Sequence, residues 1–398
     1  MVRALAVLGS AALAAGAVAC GGTEAKTEPG SCVHQVAARS SGTAGRRLAR
    51  IAREVERLRG LEFKRVPKPQ YVNQDEMLRR LRRDFDKHEP ARRLEAAQRA
   101  LVTVGAMAPG TDLRKLTRNE IAGDIAGYYD PDTHALVVLR DTKRGLDAEE
   151  RVTLAHELEH ALADQRLGLP DTDSPKTGSN VRRDDETSAA AAALGEGDAT
   201  LLTYGYAVAD VPAHAEDVTA PPTPGWSGLP YYIEATGDFP YTYGESFACH
   251  LFERGGWKAV DAAYAKPPTT TAQILFPERY DSGEGFVDPP RPASPGPGWR
   301  QLDYSTLGAA DLVAFFRAPG DHFVNGLSEP VRRAGALAGG AAIVWTRGPR
   351  TVVSMSFVER HGASPRLCSS IRAWVRAARL RGSTITCSGS IVRASLRR

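Results

Sequence analysis

The 398-residue sequence lacks several patterns that would place it in other classes of protein. It has no C-x-x-C spacing, which argues against a zinc site built from cysteines, and no internal repeat, which excludes an array of repeated units. Its formal net charge is only +4 and it has no basic run, so nucleic acid is not expected as a partner. Because 42% of the residues are hydrophobic and 25% are charged, most of the chain should nevertheless fold.

The N-terminal residues predict export. An apolar run over residues 4–19 follows Arg3 and is too short for a secure membrane span, so residues 1–19 are interpreted as a signal peptide. The run ends in "AVACG", which resembles a bacterial lipobox in which Cys20 is lipidated. Ala17 stands where that pattern most often has Leu, so a secreted protein cleaved after an A-x-A-like site is the alternative. Residues 20–44 are predicted to be a lipidated flexible tether on the outer face of the membrane, which the protein would contact through this anchor alone.

Four further cysteines, Cys32, Cys249, Cys368 and Cys387, are an even number in an exported protein and predict two disulfides. They allow three pairings, and the sequence does not choose among them. Proximity favours Cys368 with Cys387 and, by remainder, Cys32 with Cys249.

Hydrophobic periodicity predicts a mostly helical α+β protein. A strand is expected near residues 68–73, and a hairpin over residues 127–141 ends in an apolar strand at 135–139. A second hairpin turning at Gly348-Pro349 and a following helix are expected in the C-terminal part. Further helices are predicted at residues 45–61, 76–86, 90–104, 112–122, 147–167 and 186–207, with two more broken at Gly255-Gly256 and polar or proline-rich loops at 170–185, 210–230 and 288–297.

The chemistry is concentrated in "LAHELEHALADQ", where His156, Glu157 and His160 form an H-E-x-x-H pattern. On a helix these three side chains share one sector, so two imidazoles reach one Zn²⁺ ion and the carboxylate lies beside it as a general base. Asp147 and Glu150 predict a capping box at the start of this helix. Asp164, one turn beyond His160, is a candidate hydrogen-bond partner that orients a ligand histidine.

A catalytic zinc normally has three protein ligands and one open position. The third ligand is expected on the following helix, as Glu196 or Glu186, and Glu196 is favoured. Gly195 and Gly197 beside it weaken a helix, which indicates close backbone approach to the motif helix; the less favoured alternative is that they merely allow an ordinary helix crossing. Asp198 is a candidate acceptor for a histidine N–H.

Other candidates are less specific. His134 and His250 are lone histidines that could be ligands, but ordinary polar roles are favoured for both. Ala163 and Arg166 stand where the metzincin extension requires Gly and His, which excludes that class. Stabilisation of an oxyanion needs a further donor. Tyr243 is named for this role from a group that also contains Tyr231, Tyr232, Tyr241 and His250.

The segments "GYYDPDTHALVVL", "TLAHELEHALADQ", "ALGEGDATLL" and "FPYTYGESFACHLFERGGWKAVDAAYAKPPTTTAQILFPERY", in this order, resemble a bacterial family of exported, often lipid-anchored, zinc metallopeptidases. The resemblance covers residues 45–280 and implies a gluzincin-like zincin fold. It also implies that His156, His160 and Glu196 bind zinc and that Glu157 is the general base. Phe276 departs from the pattern, because the family is expected to have His there.

The expected function is therefore hydrolysis of peptide bonds by an exported zinc metallopeptidase with a peptide or protein substrate. Residues 45–285 are predicted to form the metallopeptidase-like domain, with strand 135–139 along its cleft, and residues 300–398 a small α/β accessory region. Two alternatives remain open: a cell-surface binding or scaffold protein with a non-catalytic zinc site, and a zinc amidase acting on cell-wall material.

Overall fold

The computed structural model describes residues 31–40, 48–120, 127–139, 146–170, 184–215 and 229–397. These residues form a mostly helical α+β structure with two sheets, which confirms the predicted class at that level. The α-helices are α1 (Ser31–Ala37), α2 (Leu48–Arg59), α3 (Gln74–His88), α4 (Ala91–Thr103), α5 (Leu113–Glu120), α6 (Ala148–Arg166), α7 (Asp184–Asp210), α8 (Tyr231–Gly255), α9 (Trp257–Ala265), α10 (Thr271–Leu275), α11 (Pro277–Asp281), α12 (Ala309–Arg317), α13 (Pro330–Ala334) and α14 (Leu367–Ala377). The strands are β1 (Pro69–Val72), β2 (Gly127–Asp130), β3 (Ala135–Leu139), β4 (Arg300–Leu307), β5 (Leu337–Arg347), β6 (Arg350–Glu359), β7 (Thr384–Ser388) and β8 (Ile391–Leu396).

The first sheet has the strand order β1-β3-β2. β1 is parallel to β3, and β2 pairs with β3 as the predicted antiparallel hairpin. The expectation that strand 135–139 lines a cleft is wrong, because β3 is central and both its edges are paired. Within the described residues β2 is the edge strand that lies against α6.

The second sheet is antiparallel, with the order β4-β5-β6-β8-β7. Its β5–β6 hairpin turns at Gly348-Pro349 as predicted, and α14 is the predicted C-terminal helix. The sequence pattern did not predict β4, β7 and β8.

Two large hydrophobic clusters fill the interior. One contains buried side chains of α1, α2, α6, α7, α8 and α9, and the other joins α3, α4 and α5 to α12, α14 and the second sheet. Leu101 of α4, for example, belongs to the same cluster as Val353 of β6 and Trp374 of α14. The helices α3–α5 therefore share a core with the C-terminal sheet, while the domain boundaries remain a prediction.

The N-terminal end of the described chain is packed. Residues 31–37 form α1, and Cys32, Val33 and Val36 are fully buried, so the prediction of a flexible tether is wrong for this stretch. The reason is a disulfide between Cys32 and Cys249 on α8, together with contact of α1 with α7. The second disulfide joins Cys368 and Cys387, and both pairs are those that proximity favoured. Both are in keeping with export to an oxidising compartment.

Several predictions lie outside the described residues: the signal peptide at 1–19, lipidation of Cys20, the rest of the tether except 31–40, and most of the loops at 170–185 and 210–230. Among the helices that are described, none is long and apolar enough to cross a membrane.

Candidate metal centre

Three candidate ligand atoms meet between α6 and α7. The Nε2 atoms of His156 and His160 are 3.1 Å apart, and Oε2 of Glu196 lies 3.2 Å from the first and 3.1 Å from the second. A tetrahedral metal with ligand bonds near 2.0–2.2 Å would separate its ligands by roughly 3.3–3.5 Å. The triangle therefore has the size and the donor set of a metal site, and these residues could hold one ion.

Helix α6 places both histidines. It begins with the predicted capping box, in which Asp147 accepts from the N–H of Glu150 and the Glu150 side chain accepts from the N–H of Asp147. The helix is apolar on most of its circumference and is buried over most of its length, which fixes its rotation. His156 and His160, one turn apart, consequently point to the same neighbour, α7.

A threonine on α7 sets the orientation of His156. The Oγ1 of Thr203 donates to the carbonyl of Ala199 at 2.6 Å and lies 3.3 Å from Nδ1 of His156. Since that hydroxyl proton is already used, Thr203 accepts from an Nδ1–H, which leaves the Nε2 lone pair free to bind a metal. No sequence pattern singles out Thr203, because its role depends on how α6 and α7 pack.

Glu196 is positioned by a close helix crossing. A Cβ on Gly197 would lie 2.1 Å from the carbonyl oxygen of Gly244, and a Cβ on Gly244 would lie 2.3 Å from the carbonyl oxygen of Ala193. The backbones of α7 and α8 therefore touch here. Gly195 faces open space. The predicted close backbone approach is therefore present at Gly197 and not at Gly195. The helix that approaches is α8, whereas the motif helix α6 was expected.

The charges around the three ligands favour a cation. Burial disfavours ionisation of Glu196, but the imidazoles of His160 and His156 lower the pKa of Glu196 to about 2. Burial also disfavours the charged form of His160 and so lowers its pKa, but the carboxylate of Glu196 outweighs this effect and raises the pKa of His160 to about 9. An ionised carboxylate thus draws positive charge onto the ligand cluster.

Glu157 lies beside the ligands and is buried. Its Oε2 accepts from the backbone N–H of Tyr129 on β2 at 2.7 Å, whereas Oε1 is buried without a hydrogen-bond partner among the described residues. Burial raises the pKa of Glu157, although the two histidines and the Tyr129 N–H act in the opposite direction. A carboxylate with a raised pKa and one free oxygen is suited to take and return a proton.

Asp198 has a different role from the one predicted. Its Oδ2 accepts from Arg59 at 3.0 Å and from the hydroxyl of Tyr264 at 2.8 Å, and neither ligand histidine is a partner in the described structure. The fully buried Arg59 also binds Glu159 at 2.9 Å and Asp261 at 2.7 Å. This cluster, called the Arg59 network below, ties α2 and α9 to residues adjacent in sequence to the ligands.

Asp164 likewise does not bond a ligand histidine in the described structure. Its Oδ2 accepts from the hydroxyl of Tyr129 at 2.6 Å and lies 2.8 Å from Nδ1 of His134. The side chain of His134 is exposed, so these contacts hold the β2–β3 hairpin on α6 and do not complete a ligand set.

The candidate tyrosines separate into two groups. Tyr241 lies next to the ligands, with its ring centroid 6.2 Å from that of His156. Tyr243 packs on Phe239, and its hydroxyl is 3.4 Å from a guanidinium nitrogen of Arg317. Tyr231 and Tyr232 belong to the other hydrophobic cluster. Of the four, Tyr241 is thus the one that the structure places beside a ligand.

The alternative third ligand, Glu186, contacts neither His156 nor His160 in the described structure. It is buried at the start of α7, where it accepts from the N–H of Thr271 at 2.6 Å and approaches Gly308 closely. His250 bonds Asp281 at 2.9 Å. Phe276 stacks under the guanidinium of Arg279. None of the three contributes to the ligand cluster.

A second group, Cys32, Cys249 and Glu253, also brings candidate ligand atoms together. Its two sulfurs form a disulfide and are not available as thiolate ligands. Within the described residues, His156, His160 and Glu196 therefore remain as the candidate metal centre.

Comparison of this chain with models of protein families, with curated proteins and with solved structures finds no match. The class that can be stated is a mostly helical α+β protein with a His-His-Glu group that could hold a metal ion. The metal and the reaction have to be argued from the geometry of the site.

Proposed function

We propose that this protein is an exported zinc-dependent metallopeptidase. The proposal is carried by one observation: two imidazole nitrogens and one carboxylate oxygen converge within 3.2 Å, with the buried carboxylate of Glu157 beside them. Two nitrogens and one oxygen are a donor set that zinc accepts in hydrolases, with the fourth position open to water or substrate. A zinc ion bound there supplies a Lewis acid that makes water nucleophilic at neutral pH.

The residues of the chain perform the proton transfers. Glu157 takes the proton of the attacking water on Oε1 and returns it to the leaving amine, which its raised pKa favours. The hydrogen bond from the N–H of Tyr129 holds its other oxygen in place. Tyr241 is the side chain assigned to donate to the oxyanion, because its ring lies beside that of His156, whereas the ring of Tyr243 packs on Phe239.

An extended peptide suits the surroundings of Glu157. β2 is an edge strand in the described part of the sheet, and the N–H of Tyr129 on this strand donates to Glu157. A peptide that pairs with this edge would bring a backbone carbonyl next to the general base. This supports a peptide substrate over a cell-wall amide.

The test separates metal binding from catalysis. Glu157→Gln should retain one zinc per chain, measured by elemental analysis, while kcat/KM on peptides cleaved by the wild type falls by about 10²–10⁴. Substrates are found by mass spectrometry of a proteome-derived peptide library. If wild type binds zinc and cuts no peptide, the peptidase proposal fails and the scaffold alternative stands. If the wild type cleaves amide bonds in peptidoglycan but cuts no peptide, the protein is instead a zinc amidase that acts on cell-wall material.

The ligand assignment has its own test. Glu196→Ala should lower zinc affinity at least about tenfold, whereas Glu186→Ala should leave it unchanged, because Glu186 contacts Thr271 and not the histidines. Unchanged affinity in Glu196→Ala would overturn the assignment.

A further inference from the structure

The small net charge of the chain hides an unequal distribution. Residues 300–398 contain fifteen arginines, no lysine and five acidic residues, a formal charge of +10, so the preceding 299 residues carry −6. Charge asymmetry of this size within one chain indicates an anionic partner for the basic part.

Several of these arginines open onto one cavity of about 1140 Å³ between the C-terminal half of α4 and the β5–β6 hairpin. Arg347 and Arg350 flank the hairpin turn, Arg397 follows β8, and Arg99 comes from α4. Among the described residues that line the cavity, Glu95 is the one acidic residue, and it pairs with Arg99 at 3.0 Å. The cavity therefore keeps a charge of about +3.

The other three arginines have no carboxylate partner within the described part of the chain. Arg347 and Arg350 are direct partners in the β5–β6 register, and like charges in that position are destabilising. The guanidinium of Arg347 lies 5.4 Å from the centroid of Trp299, which also lines the cavity. A bound anion would offset this repulsion.

We propose that this arginine cavity binds a segment of an acidic oligosaccharide, with guanidinium groups on its carboxylates or phosphates. Trp299 offers a flat surface for a sugar ring, and the side-chain NH₂ of Gln98 and the hydroxyl of Thr351 offer neutral hydrogen-bonding groups for hydroxyls. The volume slightly exceeds the roughly 300–1,000 Å³ of small-molecule sites and suits a few linked rings. A nucleic-acid duplex is too wide for it, and a concave polar site does not suit a flat membrane.

The test measures binding of hexameric oligogalacturonate, as the carboxylate probe, and of a phosphorylated mannan oligosaccharide, as the phosphate probe, to the full chain by calorimetry. Wild type should bind at least one of them, more weakly as salt rises from 50 to 200 mM. Changing Arg347, Arg350 and Arg397 together to Gln should lower the affinity at least tenfold. The better-bound probe identifies the anionic group.

The matched control changes Arg372, Arg376 and Arg393 to Gln. These arginines are exposed, have no ion pair in the described structure and do not line the cavity, so the loss of charge is the same. This variant should keep the affinity of the wild type within about twofold. All six positions are on the surface, and matching thermal melts check that both variants fold.

Three results would overturn the proposal: neither glycan binds, the cavity variant binds as well as wild type, or both triple variants lose affinity equally. Stronger cavity-dependent binding of polyphosphate, which has no rings, would also overturn the glycan assignment, as would stronger binding of anionic vesicles. None of these measurements involves zinc or hydrolysis, so the outcome is independent of the proposed peptidase activity.

Discussion

Replacement of Arg59 by methionine should be among the most destabilising single changes in this chain. Arg59 is fully buried and bonds Glu159, Asp198 and Asp261 at 2.7–3.0 Å, while its guanidinium stacks 4.3 Å from the centroid of Trp257. Methionine keeps much of the volume but removes the cation. The variant then has buried carboxylates without a positive partner.

The magnitude follows from that loss. Removing one partner of a buried ion pair costs about 3–5 kcal/mol, a large part of the roughly 5–15 kcal/mol that stabilises a typical domain. We therefore expect the free energy of unfolding of Arg59→Met to fall by about 3–5 kcal/mol. Burial also raises the pKa of Glu159, with the charge of Asp198 adding to it, so neutralisation of that carboxyl places the result toward the lower end.

The assay is urea unfolding at pH 7, followed by circular dichroism, with Arg53→Met as the control. Arg53 lies on the same helix, is exposed and has no ion pair in the described residues, so its change should stay within about 0.5 kcal/mol. If the two variants differ by less than about 1 kcal/mol, the Arg59 network does not stabilise the fold as argued.

Three further predictions concern zinc binding, the crossing of α7 and α8, and the buried carboxyl group of Glu186. Zinc at 100 times its dissociation constant should raise the free energy of unfolding by about 2.7 kcal/mol, and a chelator should reverse this; an unchanged denaturation midpoint would contradict the metal site. Gly197→Ala should lower the free energy of unfolding by about 1–3 kcal/mol because its Cβ would overlap Gly244, whereas Gly195→Ala should raise it by up to about 1 kcal/mol. If both variants shift the urea midpoint in the same direction, the proposed contact of α7 with α8 is contradicted. Burial and the nearby Asp311 raise the pKa of Glu186 to about 8, so its contribution to stability is fully present below pH 4.5 and lost as pH rises through 8. In Glu186→Gln the free energy of unfolding should therefore fall less between pH 5 and pH 8 than in the wild type, by a few kcal/mol at most, at about 1.4 kcal/mol per pKa unit. If urea unfolding shows the same pH dependence for both proteins, this prediction is refuted.

Features encoded by local sequence were predictable. The capping box at Asp147 and the spacing of His156 and His160 depend on neighbours within one or two turns, and the structure has both as expected. Of the two glycines beside Glu196, only Gly197 makes a close backbone contact in the described structure, and its partner is α8 and not the predicted motif helix. The identity of the touching helix was not predictable, because Gly244 is 47 residues away from Gly197 and its own sequence context reads as an ordinary helix.

Roles that depend on packing were assigned less well. Asp164 and Asp198 are both predicted to bond a ligand histidine, but in the described structure the hydroxyl of Tyr129 donates to Asp164 and the guanidinium of Arg59 donates to Asp198. The short helix α1 lies in a segment that the sequence predicts to be a tether. Seven residues do not form a stable helix alone, and the Cys32–Cys249 disulfide and packing against α7 supply what the local sequence lacks.

The position of the ligands depends on parts of the chain that carry no ligand. Arg59 on α2 bonds Glu159, which precedes His160, and Asp198, which lies two residues after Glu196. It therefore links α6 to α7 on the residues next to the ligands, while Gly197 and Gly244 fix α7 against α8. Arg59 joins the two helices that carry the ligands, and the Gly197–Gly244 contact holds the Glu196 helix against α8. A substitution in either contact should therefore change zinc affinity without touching a ligand. The arginine cavity uses neither contact, because it is built from α4 and the second sheet, so variants at Arg59 that still fold should keep its binding properties.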